Sequence, residues 1–309
     1  MSVLSRGLQF LLVWLVLGAA WADVTPLPMR SIAPGVFVHF APHAPLNPEN
    51  HGAIANIGFI IGDRCVAVID TGGSPEQGRA LKAALRQRTN LPVCYVINTH
   101  VHQDHILGNS AFKEPGVKFV GHSRLPRALS MRSAFYLQNA PEQLGIKLSP
   151  RDVIAPDILV ENTLKLGLGN RILTLTAHPT AHTDNDLSIL DEKTHTLWLG
   201  DLLFVSHIPV IDGSLKGWIK VMESLEKQHF EHVIPGHGPL VKDWPQALQP
   251  QKTYLTGLLH EIRTAIKNGV SLEQAMATIG QAARQDWQWF DVFHAKNIAT
   301  AYAELEWEE

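Results

Sequence analysis

Apolar and polar positions fall into blocks that change character along the chain. Residues 56–61 and 65–70 are short apolar runs, the second closed by Thr71-Gly72-Gly73, and each reads as a strand. Residues 74–89 read as a helix, with Leu81 and Leu85 four apart on one face. Ser74 followed by Gln77 resembles a capping box at its start. Residues 92–98 and 117–121 are further strands, and 125–138 a helix. Upstream, residues 23–52 are rich in Pro, His and Asn and hold one short strand at 36–39. Between 152 and 199 the pattern becomes a series of short strands at 158–160, 164–166, 172–176, 186–190 and 196–199. Gly167-Leu168-Gly169-Asn170 reads as a hairpin turn inside that series. The last third is helical, over 218–227, 254–268 (closed by Gly269), 271–279 and 293–306. No repeat or low-complexity linker interrupts the order. The expectation is one α/β domain with sheets inside and helices outside, and a helical C-terminal part over about 242–309.

The two ends of the chain differ. Arg6 precedes an apolar run over residues 8–20, and Ala20-Trp21-Ala22 places small residues at the positions a signal peptidase reads. Residues 1–22 are therefore read as a secretory signal peptide, leaving 23–309 as the mature protein. The run falls short of the roughly 20 apolar residues that a spanning helix needs, although an uncleaved anchor or a buried helix remains an alternative. No later segment is apolar enough to span. The expected location is the periplasm, if the host is a Gram-negative bacterium.

Charge changes the picture only by exclusion. The 309 residues carry a formal charge of −3 and no Lys/Arg run, so the basic stripe of a nucleic-acid binder is missing. The two cysteines, Cys65 and Cys94, lie near the starts of strands joined by one helix. An oxidising compartment would permit a bond between them. Two buried thiols are the preferred expectation, because a disulfide needs Cα atoms within about 7 Å.

Sixteen histidines are many for this length, and four potential ligands crowd into one run, Thr99-His100-Val101-His102-Gln103-Asp104-His105. It follows directly on a strand. Two imidazoles two apart on an extended loop point to one side, and the Asp-His pair can then turn toward a second ion. Imidazole and carboxylate without thiolate suit a hydrolytic zinc site. Burying so many titratable groups without a metal would be costly.

This HxHxDH run resembles the signature of the metallo-β-lactamase superfamily, and further motifs follow in that family's order. Val68-Ile69-Asp70-Thr71-Gly72, Ala181-His182-Thr183-Asp184-Asn185-Asp186, Leu199-Gly200-Asp201-Leu202-Leu203-Phe204 and Val233-Ile234-Pro235-Gly236-His237-Gly238 resemble the others. The resemblance implies an αββα sandwich of two mixed β-sheets flanked by helices. It implies two Zn2+ ions, the first held by His100, His102 and His182, the second by Asp104, His105 and His237, with Asp201 bridging. His178 is the rival of His182. Asp70 is expected to accept a hydrogen bond from a ligating imidazole. Asp104 is the expected catalytic residue, orienting the nucleophile and passing a proton to the leaving group.

Two features separate the chain from relatives. His102 stands where flavin-partnered diiron members have a carboxylate, and Asp201 where one β-lactamase subgroup has cysteine. The glutathione-binding pattern of hydroxyacylglutathione hydrolases is not evident. The signal peptide, the turn over 182–186 and the stretch Ile208-Pro209-Val210-Ile211-Asp212-Gly213-Ser214 resemble the quinoprotein relay system zinc metallohydrolases, similar to the SoxH family. That resemblance implies a periplasmic hydrolase of a small carbonyl substrate, associated with PQQ-dependent dehydrogenase components. An iron-dependent sulfur-compound oxygenase and a non-catalytic accessory protein are the alternatives. His43, His51, His207, Trp218, the loops over 41–52 and 207–218 and the C-terminal helices are candidates for substrate contact.

Overall fold

The computed structural model describes residues 24–308. The signal-peptide expectation lies outside the described residues. The first sheet has seven strands in chain order: β1 (Arg30–Ala33), β2 (Val36–His39), β3 (Ile57–Ile61), β4 (Val66–Ile69), β5 (Val93–Ile97), β6 (Lys118–His122) and β7 (Ile158–Val160). Pairing is antiparallel from β1 to β4 and parallel from β4 to β7. The second sheet runs β8 (Thr163–Gly167), β9 (Ile172–Ala177), β10 (Leu187–Asp191), β11 (Thr196–Phe204) and β12 (His232–His237). It is antiparallel except for the β11–β12 pair.

The helices are α1 (Pro75–Arg86), α2 (Gln103–Ile106), α3 (Leu125–Gln143), α4 (Leu215–Leu225), α5 (Gln249–Lys267), α6 (Leu272–Thr278) and α7 (Phe290–Leu305). Two sheets face each other across a core that joins Val36, Ile60, Ile69 and Ile97 to Leu173, Ile189, Trp198 and Ile234. Leu81 and Leu85 of α1 cover the outer face of the first sheet, against Ile57, Val66 and Val68. Trp218, Met222, Leu255 and Ile298, from α4, α5 and α7, cover the second, against Leu197 and Leu199. Both sheets are mixed, so the layers are those of an αββα sandwich. All nine residues of β11 are buried, as expected of a strand covered on both faces.

Local chemistry explains most boundaries. Ser74 caps α1, its side chain accepting from the Gln77 amide at 3.1 Å. The Gln77 side chain accepts from the Gly73 amide rather than returning to Ser74, so only half of the expected box forms. The hairpin turn between β8 and β9 closes with the Leu168 amide on the Arg171 carbonyl at 2.8 Å. Several elements exceed the sequence reading, α5 among them, which begins at Gln249. A strand, β1, precedes the expected one. Helix α3 runs to Gln143 and carries Pro141 inside it, with Ala140 buried beside the proline. Strand β11 continues to Phe204.

The two cysteines correct one expectation. Cys65 and Cys94 form a disulfide, with Cα atoms 5.7 Å apart. Parallel pairing of β4 with β5 brings the starts of the two strands side by side. Among the described residues no helix is long and apolar enough to cross a membrane.

Candidate metal centre

The HxHxDH run changes backbone conformation midway. His102 is extended, with φ −66° and ψ 147°, and α2 begins at the next residue. His100 and His102 thus project from an extended segment after β5, while Asp104 and His105 sit in the first turn of a helix. The loop between β9 and β10 delivers His182, β11 delivers Asp201, and the end of β12 delivers His237.

Two close approaches of backbone allow this. Gly200 has φ +50°, and a Cβ there would lie 2.7 Å from the Thr99 side chain. A Cβ on Gly236 would lie 1.9 Å from Asp201 Oδ1, so only glycine lets β12 pass the bridging position. The sheets are tied above the site by the Leu187 amide, which donates to the Thr99 carbonyl at 2.8 Å.

All seven expected side chains converge. His100, His102, His182 and Asp201 form one group and Asp104, His105 and His237 another, the potential ligand atoms of each lying within 4.8 Å of one another. Asp201 reaches both. Its Oδ2 is 3.7 Å from His100 Nε2, 3.4 Å from His182 Nε2 and 3.4 Å from His237 Nε2. Its Oδ1 is 3.2 Å from His105 Nε2. Asp104 Oδ2 lies 3.5 Å from His105 Nε2 and 3.3 Å from His237 Nε2.

Four imidazoles are each anchored by one nitrogen. His105 Nδ1 donates to Asp70 Oδ2 at 2.8 Å, His182 Nδ1 to the Val210 carbonyl at 2.6 Å, and His102 Nε2 to Asp212 Oδ2 at 2.8 Å. His100 Nδ1 lies 3.0 Å from the Thr99 hydroxyl. Such contacts fix the tautomer and orient the ring. The other nitrogen of each then points to the centre. His100 Nε2, His105 Nε2 and Asp201 Oδ1 are buried there with no hydrogen-bond partner. Buried polar atoms are normally satisfied, so a cluster of orphaned nitrogen and oxygen atoms fits cation binding. The donor set, nitrogen and oxygen without sulfur, fits zinc and similar divalent ions.

Electrostatics agree. Burial pushes His182 down to about 3, despite the opposing pull of Asp201. Burial also disfavours charge on His237, but Asp201 and Asp104 outweigh it and raise this group to about 9. Without a cation the carboxylates therefore gather protons onto neighbouring imidazoles. Binding of a divalent ion would release them.

His178 does not join the cluster. Its Nε2 lies 2.7 Å from the Ser188 hydroxyl, and burial pushes its pKa down to about 4. Asp70 does what was expected of it, also accepting from the Thr99 amide at 2.8 Å. The sequence reading missed Asp212 as a contact of His102, and Arg132, whose Nη2 donates to Asp212 at 2.6 Å. Asp212 lay in a stretch singled out only by resemblance, and Arg132, on α3, carried no signal.

A cavity of about 610 Å3 opens over the cluster, lined by His102, Asp104, His182, Asp201 and His237 and bounded by α3, α7 and the segment around Pro45. Of the candidate contact residues, His207 lines it; His43, His51 and Trp218 do not. His51 instead binds the Leu144 carbonyl, and Trp218 is buried beneath His182 with its ring 5.3 Å away.

A two-sheet sandwich with paired histidine–carboxylate groups defines a class of metal-binding αββα proteins. The chain belongs to the Metallo-beta-lactamase superfamily, whose profile matches residues 52–237. It carries two candidate His/Asp metal-binding groups within the matched residues. Among solved structures it is similar to the stereoselective inverting sec-alkylsulfatase of Pseudomonas sp., at 16% identity and a TM-score of 0.72 over 91% of this chain and 51% of that one. The chain thus spans about half the length of that sulfatase. It is also similar to metallo-beta-lactamases from Pontibacter korlensis (21% identity, TM-score 0.57, 74% of this chain and 99% of that) and Hirschia baltica (19%, 0.58, 75% and 98%). At these identities the likeness concerns the fold.

Proposed function

We propose that the protein is an exported, zinc-dependent hydrolase of a small ester, thioester, lactone or amide. The observation that carries this is the convergence of seven side chains, whose anchored imidazoles leave orphaned nitrogens facing buried carboxylates. A bound pair of Zn2+ ions would supply Lewis acidity and hydroxide at neutral pH. His100, His102 and His182 would hold one ion, Asp104, His105 and His237 the other, and Asp201 both.

The chain's own groups do the rest. Asp104 lies between the His100–His102 pair and His105 in the run and lines the cavity, so it orients the attacking water and returns a proton to the leaving group. Asp212, held by Arg132, keeps His102 in one orientation. His207 lines the wall over His237, its ring 5.4 Å away.

The completeness of the second group favours this reading over a mononuclear iron oxygenase, which needs one site only. It also favours catalysis over a purely accessory role. The likeness to an alkylsulfatase makes a sulfate ester the second substrate class to assay. The signal-peptide pattern supports export, and the Cys65–Cys94 disulfide suits an oxidising compartment. An association with periplasmic PQQ-dependent dehydrogenase components rests on the sequence resemblance alone.

The test is chelation and reconstitution with ester, lactone and sulfate-ester substrates. Loss of hydrolysis with chelator and recovery with Zn2+ is expected. Recovery with iron alone, accompanied by oxygen uptake, would reverse the order of the readings.

A further inference from the structure

The cavity over the metal cluster is walled asymmetrically. On one side stand the polar groups of the cluster. On the other stand Leu46, Phe135 of α3, and Val292 and Phe293 of α7. Phe135 and Val292 are each 52% exposed. Single exposed apolar residues are ordinary on a protein surface. Here two of them come from helices far apart in sequence and face the same cavity. Met131, 70% exposed, stands one turn before Phe135 on the same face of α3 and extends the strip outward. Arg132 is paired with Asp212, while Glu142 and Gln143 of α3 and Lys296 of α7 also line the cavity, so the apolar groups share these helices with polar ones. Exposed apolar residues from separate elements gathered on one cavity mark a binding surface.

We infer that the substrate carries an extended apolar chain, which lies between α3 and α7 while its ester group reaches the cluster. This rests on the hydrolase reading above and names its substrate class: an ester of a medium-chain acid. Water adds to the acyl carbon, the acyl C–O bond breaks, the alcohol takes a proton, and the chain leaves as the carboxylate. A cavity of about 610 Å3 is of the size that takes a drug-sized ligand and is far larger than an acetyl ester fills. The strip is continuous with the site, which favours a substrate chain over a lipid surface as its occupant.

Two measurements on the full mature protein test this. The first is kcat/KM for acetate, butyrate, octanoate and decanoate esters of one chromogenic alcohol. A fully buried methylene is worth about fourfold and one lying on a half-open wall about twofold, so octanoate should exceed butyrate by about tenfold or more. The second is calorimetric binding of octanoate and acetate to protein with and without Zn2+. Octanoate should bind more tightly in both forms. Phe135→Ser and Val292→Ser, at exposed positions, should each reduce octanoate binding about fivefold and flatten the chain-length profile. Leu159→Ser, an equally exposed apolar position on β7, should do neither.

Octanoate binding that depends on Phe135 and Val292, without hydrolysis of any ester, would uphold the chain-binding wall and refute the carbonyl-hydrolase reading. Hydrolysis with a flat profile, and octanoate bound no better than acetate, would overturn the inference. So would a flat profile with Phe135-dependent sedimentation on phosphatidylglycerol vesicles, which would assign the strip to a membrane surface.

Discussion

His102 Nε2 and Asp212 Oδ2 are 2.8 Å apart, and this contact joins the metal cluster to the wall of the cavity. Asp212 also accepts from Arg132, and its amide donates to the His182 carbonyl at 3.0 Å. One residue thus steadies the imidazole of His102 and the backbone of His182, both proposed for the first ion. Removing such a partner usually costs 10–100-fold in metal affinity. Asp212→Ala should weaken Zn2+ binding by about that factor, read by competition with a chromophoric chelator. Unchanged affinity would mean that His102 needs no support from Asp212.

Asp104 has two tasks, holding an ion and handling a proton. Asp104→Asn preserves the shape of the side chain and removes its basicity. With Zn2+ content matched to that of the parent, kcat should fall about 100-fold, the low end for a general acid–base group, with KM little changed. A variant with the parent kcat would exclude the proton role.

The Arg171–Asp191 pair offers a pH-dependent test of the fold away from the site. Burial alone would raise the Asp191 pKa. The Arg171 fork, at 2.8 and 2.6 Å, together with the Thr194 hydroxyl, outweighs burial and holds the carboxyl below its usual range. The folded state therefore binds this proton less readily than the unfolded chain, whose Asp pKa is about 3.9. The resulting stability is complete above that value and disappears as pH falls through the lower folded one. Asp191→Asn should cost about 3 kcal/mol near neutrality, because it leaves Arg171 buried without its counterion. It should also flatten the acid limb of the stability curve, measured by urea unfolding at several pH values.

The disulfide spans 29 residues of chain. Closing a loop of that size restricts the unfolded state by about 3–4 kcal/mol. Cys94→Ser should lower stability by a similar amount in denaturant titration and leave the metal content intact. A thiol assay on the denatured parent should find no free thiol, whereas two free thiols would show that the bond does not form.

The sequence made the centre legible because most of it is local. Four of the seven converging groups lie between His100 and His105, although the helical turn α2 that carries Asp104 and His105 was not read from their spacing. Gly200 and Gly236 could be read as motif residues, but the reason for them, the passage of backbone against Thr99 and Asp201, appears only when β11 and β12 are paired. Long-range contacts left no trace. Arg132 and Asp212 are 80 residues apart and meet because α3 lies along the cavity. The cysteines could be placed at strand starts, but their separation depended on which strands became neighbours. The C-terminal helices were candidates for substrate contact, but the apolar wall itself went unseen for the same reason, since Phe135 of α3 and Val292 of α7 meet at the cavity only in the folded chain.

Anomalous diffraction at the zinc edge, from crystals of the protein grown without added metal, bears most directly on the central claim. The account predicts two peaks per chain, about 3.5–4 Å apart, one beside His100, His102 and His182 and one beside Asp104, His105 and His237, with Asp201 between them. A single peak at the iron edge, or no peak within reach of these side chains, would contradict it.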